Sequence, residues 1–130
     1  NTKDAVAYIT LEPCAHEGKT GPCTQALIDA EISRAVYGME DPNPLVAGQG
    51  LQALIDAGIS IDGPLLEQEA KSLNKGFIRR MLVQRPWVRC KVAVSLDGRT
   101  AMASGESQWI TGCQARADVQ KWRASSCAII

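Results

Sequence analysis

The sequence has 130 residues, 45% of them hydrophobic and 22% charged, with 14 basic residues against 14 acidic ones. That length is enough for a domain of ordinary size. A formal charge of zero argues against a nucleic-acid surface, which wants a basic patch. No apolar run approaches the roughly 20 residues of a membrane span.

No signal-peptide pattern is evident, and five cysteines in such a chain fit a reduced, cytoplasmic setting. The chain begins at Asn1 and runs out in the apolar Ala128-Ile129-Ile130, so it reads as a piece of a longer protein.

In chain order, Asp4 to Leu11 suits a buried strand, being rich in Ala, Val, Tyr, Ile and Thr. A turn follows, Glu12-Pro13-Cys14-Ala15-His16-Glu17-Gly18-Lys19-Thr20-Gly21-Pro22-Cys23. Pro22 suits the first turn of a helix over 24–31, whose apolar side is Leu27 and Ile28, continued by Ile32. Arg34 to Met39 predicts a second strand. Glu40-Asp41-Pro42-Asn43-Pro44-Leu45 is a stiff loop, because each Pro restricts the residue before it. Gly48 to Ala57 predicts a helix with Leu51, Leu54 and Ile55 on one face, stopped by Gly58. Ile59-Ser60-Ile61 is a short third strand. This alternation argues for a parallel sheet, with ligands expected beyond the C-terminal strand ends. The cysteine turn and the Asp41–Asn43 loop both leave such ends.

Leu65 to Leu82 is helical in pattern, with a break expected at Gly76 and a solvated basic side at Asn74, Lys75, Arg79 and Arg80. Gln84-Arg85-Pro86 marks a domain boundary. Trp87 to Ser95 predicts a strand, Leu96-Asp97-Gly98-Arg99 a hairpin turn, and Cys113 to Ser125 a helix capped by Thr111.

The cysteine turn carries the chemistry. Zinc takes thiolate and imidazole ligands, and Cys23 at a helix start has its thiolate favoured by free N–H groups. Eight residues separate Cys14 from Cys23, longer than a structural zinc turn usually allows, so two reduced loop cysteines remain an alternative. His16, the sole histidine, is open as a ligand, a substrate contact or a turn residue. Glu12 and Glu17 are carboxylates of the right type for proton transfer, though such residues are more often capping or solvated carboxylates.

Thr10-Leu11-Glu12-Pro13-Cys14 resembles the second zinc motif of the cytidine-deaminase-like zinc deaminases. The gap to Cys23, the string Met39 to Gly48 and Leu73-Asn74-Lys75-Gly76-Phe77 resemble one branch, the bifunctional riboflavin-biosynthesis deaminase/reductases. Lys91 to Thr100 and Ala103 to Thr111 resemble the start of that family's reductase domain.

The resemblance implies an α/β fold. A three-layer α/β/α deaminase domain lacking its N-terminal part spans 1–84, and the start of a dihydrofolate-reductase-like domain spans 85–130. It implies Zn2+ and NADPH as cofactors. The substrate would be a small pyrimidine ribosylamino phosphate, hydrolytically deaminated and then reduced from ribosyl to ribityl. No nucleic acid or membrane partner is implied, and a homo-oligomer is expected. Cys14 and Cys23 match two of three zinc ligands, and His16 and Lys19 the substrate-side loop. Ala93 and Trp109 match NADP-contacting positions, with a core tryptophan as the alternative for Trp109. Ser107 and Arg123 match substrate-contacting positions, Arg123 having the bidentate fork that suits phosphate. Asp97 and Arg99 sit in a family turn near the reductase site, or simply shape that turn.

The family's third zinc ligand and general acid/base lie in a His-x-Glu motif upstream of Cys14, and the 13 residues there hold no histidine. No catalytic residue is therefore assigned, and these 130 residues alone are expected to be inactive in both reactions. Two other readings stand beside this one. A nucleoside or nucleic-acid zinc deaminase would show a shorter cysteine gap, more positive charge for nucleic acid, and no use for Trp87 to Thr111. A non-enzymatic structural zinc module would unfold when Cys14 is replaced.

Overall fold

A computed structural model describes residues 2–130. Eight elements run in the order β1 (Val6–Ile9), α1 (Cys23–Asp29), β2 (Arg34–Tyr37), α2 (Gln49–Asp56), β3 (Ser60–Asp62), α3 (Glu67–Leu73), α4 (Lys75–Val83) and α5 (Cys113–Ala124). The chain divides into two compact units, one ending at Trp87 and one running from Val88 to Ile130.

In the first unit the three strands form one parallel sheet in the order β1-β2-β3. Val6 to Ile9 pair in register with Arg34 to Tyr37, and Arg34 to Val36 with Ser60 to Asp62. Side chains alternate across a sheet. The row Ala7–Ala35–Ile61 therefore shares a face, and it is packed with Ile32, Leu54, Ile59, Leu27 and Ile28 into the core. Leu54 and Ala35 are wholly buried. The hydrophobic periodicity of α1 and α2 is what brings Leu27, Ile28 and Leu54 to that face. Gly58, at φ +82°, follows the end of α2, where the left-handed backbone favours glycine.

Three local expectations change. The strand at 4–11 is not buried on both faces: Val6 and Tyr8 lie on the opposite face and are exposed, and the same face carries an ion pair between Arg34 and Asp62. Ile55 points away from the core that takes Leu51 and Leu54. The long helix breaks at Asn74, not Gly76. Asn74 leaves helical geometry (φ −105°, ψ 18°), and its side-chain amide donates to the Ala70 carbonyl at 2.9 Å. Gly76 lies inside α4.

In the second unit α5 is the sole helix among the described residues. Residues 87–95 do not form the expected strand, because no described segment runs beside them to complete a ladder. Leu96 to Arg99 is a turn, closed by Ser95 N–H donating to the Arg99 carbonyl at 2.9 Å, without flanking strands. Thr111 does not cap α5. Gly112 occupies that position with extended backbone, and the Thr111 carbonyl instead accepts a bond from Arg116. No helix of the described residues is long and apolar enough to cross a membrane.

Candidate metal-binding turn

The path out of β1 stays beside β2. Gly38 N–H donates to the Ile9 carbonyl at 2.8 Å, and Glu12 N–H to the Met39 carbonyl at 2.9 Å. This draws Glu12 under the loop that follows β2, where it is 5% exposed. Its carboxylate accepts four backbone bonds. Oε2 takes the N–H groups of Asp41 and Gly48, each at 3.0 Å. Oε1 takes those of Gly50 at 2.9 Å and Leu51 at 3.4 Å. Gly50 and Leu51 lie in the first turn of α2, where N–H groups lack helical partners and an anion is favoured. Glu12 thus caps a helix some 38 residues further along.

The loop it holds is stiffened from within. Asp41 Oδ1 accepts from Asn43 N–H at 2.8 Å, and Asn43 Oδ1 from Leu45 N–H at 3.1 Å. The two loops expected beyond the strand ends are therefore bonded to each other, through Glu12.

Two residues on, Cys14 folds over the start of α1. Its Sγ accepts the Cys23 N–H at 3.3 Å. Its carbonyl accepts both the N–H and the hydroxyl of Thr24, each at 3.2 Å. Cys14 is half-buried, Cys23 exposed and Thr24 buried. Pro22 stands just ahead of the helix, as its N-cap.

The expectation that Cys23 is a favoured thiolate is reversed. A hydrogen bond with Cys14, then burial, then the charge of Cys14 push the Cys23 thiol up, and these outweigh the backbone contribution. Two thiols in one place resist joint ionisation unless a cation sits between them.

His16 and Lys19 lie on the exposed segment between the cysteines. No three His, Cys, Asp or Glu side chains among the described residues group as a metal site, so His16 does not complete one. Zinc wants four donors in a tetrahedron. Cys14 and Cys23 have the right chemistry for two of them, and the remainder has to come from elsewhere. By themselves the described residues do not make a zinc site.

The reductase-side residues all lie in the second unit. Ala93 is partly buried, while Ser107 and Arg123 are exposed. Trp109 is 70% exposed, with the Arg116 guanidinium 4.4 Å from its ring centroid, so it is not a core tryptophan here. A second stack sets Arg89 over Trp122 at 4.1 Å. Asp97 and Arg99 form an ion pair at 3.5 Å. The Ser95 hydroxyl holds Asp97 below the usual carboxylate range, and Ser95 Oγ also takes the Arg99 N–H. These bonds shape the turn.

A hollow of about 410 Å³ lies along α3 and α4, lined by Ser72, Lys75, Ile78, Arg79, Leu82 and Trp87 among others. It contains none of the predicted site residues.

Glu12 reads from the sequence as a proton shuttle, a cap or a solvated carboxylate, and the structure makes it a buried cap of α2. The one signal that marks it is a carboxylate between apolar Leu11 and Pro13, two residues before a cysteine.

A parallel α/β unit whose first strand leads through a two-cysteine turn into a helix is the class this geometry defines. Comparisons with known proteins narrow it. The model of the RibD C-terminal domain matches residues 86–130. The riboflavin biosynthesis protein RibD of Haemophilus influenzae is 57% identical over 130 residues, all of this chain and 35% of that protein. RibD of Escherichia coli is 58% identical over 128 residues, 98% of this chain and 35% of that protein. A solved structure of Acinetobacter baumannii RibD superposes with a TM-score of 0.89 at 57% identity, covering 96% of this chain and 35% of that one. The diaminohydroxyphosphoribosylaminopyrimidine deaminase/5-amino-6-(5-phosphoribosylamino)uracil reductase of Thermotoga maritima does so with a TM-score of 0.82 at 42% identity, covering 88% and 33%. The chain matches one region of RibD proteins, and it spans about 35% of the length of the curated relatives it matches.

Proposed function

We propose that the protein carrying this region performs two steps of riboflavin biosynthesis on a pyrimidine ribosylamino phosphate. In the first, water adds to the amine-bearing ring carbon, ammonia leaves and a carbonyl remains. In the second, NADPH delivers a hydride that, with a proton, converts the ribosyl group to ribityl. The observation that carries this reading is the adjacency of Cys14 and Cys23 at the start of α1, in a chain 57% identical throughout to a RibD protein.

Cys14 and Cys23 would hold zinc, whose contribution when bound is to make a water acidic enough to ionise near neutral pH. His16 and Lys19, exposed on the same turn, are proposed to face the deaminase substrate. Ala93 and Trp109 are proposed for NADPH, and Ser107 and Arg123 for the substrate of the reductase, in a reductase domain of which residues 85–130 are the beginning. Residues 1–84 are proposed as part of a three-layer deaminase domain. All five cysteines are free thiols, which supports a reducing, cytoplasmic setting. The exposed Val6, Tyr8, Leu73 and Leu82 support a homo-oligomer.

Ammonia release and NADPH oxidation by the full-length protein, supplied with the pyrimidine substrate, test the proposal, and silence in both assays overturns it. These 130 residues taken alone are expected to be silent in both, since residues 1–13 hold no histidine to join Cys14 and Cys23 and residues 85–130 are proposed as the beginning of a reductase domain only. Ammonia from a zinc-loaded sample of that chain would overturn this second expectation.

A further inference from the structure

We propose that Glu12 is the positioning residue of the cysteine pair. Its carboxylate, bonded to the start of α2 and to the loop after β2, fixes the turn that holds the Cys14 sulfur on the Cys23 N–H. The inference rests on reading Cys14 and Cys23 as metal ligands, and it adds what keeps them together.

The chain of contacts is short. Glu12 is buried, and both oxygens are fully engaged by Asp41, Gly48, Gly50 and Leu51 N–H groups. Pro13 is buried beside it, against Gly50, where a Cβ would meet the Pro13 carbonyl oxygen at 1.8 Å. Cys14 comes next, so its backbone leaves a point pinned on two sides. At the far end of the turn Cys23 is the first residue of α1, and its N–H has no helical partner. The acceptor it uses is Cys14 Sγ at 3.3 Å. The position of that sulfur is thus set by α1 from one side and by α2, through Glu12, from the other.

Gln in place of Glu12 keeps the size and one acceptor oxygen. Its amide nitrogen then faces N–H donors from Asp41 and Gly48 or from Gly50 and Leu51, and donors repel donors. A merely structural role predicts a general loss of protection. A positioning role predicts a loss confined to the turn.

The test is amide hydrogen exchange, read at Cys23 against Val36 in the middle strand, for the full-length wild-type protein, Glu12→Gln and Leu54→Val. The last variant weakens the core without touching the turn. Glu12→Gln is expected to speed Cys23 exchange about tenfold relative to Val36, while Leu54→Val speeds Val36 at least as much as Cys23. Equal acceleration of both amides in Glu12→Gln, or none at Cys23, overturns the proposal. Should Glu12→Gln fail to fold, Glu12→Asp, which keeps the charge and shortens the reach, decides in the same way, and failure of both variants to fold overturns it.

Cadmium ion, followed by its thiolate absorption, gives the metal readout. Glu12→Gln is expected to weaken cadmium binding about tenfold. A full-length wild-type protein that takes no cadmium counts against the ligand reading of Cys14 and Cys23, and the exchange ratio still decides the positioning role.

Discussion

Gly50 lies in the first turn of α2 with no room for a side chain, since a Cβ there would stand 1.8 Å from the carbonyl oxygen of Pro13. Ala is the better helix former by about 1 kcal/mol. Overpacking against backbone costs about 1–3 kcal/mol and cannot be relieved by turning a flexible side chain away. The steric cost wins, so Gly50→Ala is expected to destabilise the first unit. Urea unfolding checks the sign, and a variant as stable as the wild type would mean that the turn and α2 are not held this close.

Leu54 is wholly buried in the cluster with Ile32, Ala35 and Ile59. Leu54→Ala is expected to lose about 2–5 kcal/mol, against a total stability of about 5–15 kcal/mol for an ordinary domain. Leu45 is 79% exposed, and Leu45→Ala is expected to stay within about 0.5 kcal/mol. Denaturation midpoints of the pair test whether the core lies where α2 meets the sheet.

Much of this arrangement was legible in the sequence, because the residues that set it act locally. Leu27, Ile28 and Leu54 announce two helical faces, and Gly58 marks the stop that its positive φ fulfils. That Cys14 leaves a strand and Cys23 opens a helix was legible from the pattern, while the bond between them was left open beside two unconnected loop cysteines. What escaped depends on distant partners. Glu12 finds its four donors 29 to 39 residues away, and nothing near it in sequence names them. Residues 87–95 have strand-like composition, yet a strand exists only with a neighbour to bond to, and none of the described residues provides it. Asn74 broke the helix ahead of Gly76 because its side chain reaches back to the Ala70 carbonyl, a competition that residue propensities alone do not rank.

Tyr37 is buried at the end of β2, and burial, followed by the carboxylates of Glu40, Glu12 and Glu67, pushes its hydroxyl above the usual range. The folded chain therefore holds that proton more tightly than the unfolded one does. Its contribution to stability is complete below the ordinary tyrosine pKa of about 10 and is lost as pH rises through the higher folded value. Stability is expected to fall with alkaline pH above about 10, and to fall less in Tyr37→Phe. Urea midpoints measured across that range for both chains check it, and parallel curves would remove Tyr37 as the cause.

Cys14→Ser separates a ligand from a structural clip. The sulfur accepts a single N–H bond, from Cys23, while the turn itself is tied by the Cys14 carbonyl to Thr24 and by the carboxylate of Glu12 to α2. A serine hydroxyl can take over part of the lost bond, and a hydrogen bond of this kind contributes about 0.5–1.5 kcal/mol. The variant is expected to remain folded with a thermal midpoint slightly lowered, and to lose the cadmium–thiolate absorption of the pair, read with Cys90, Cys113 and Cys127 replaced by Ser in both proteins. An unfolded Cys14→Ser chain would show that the cysteines clip the turn, and the first unit would then be a structural module whose cysteine pair serves the fold rather than the proposed deamination.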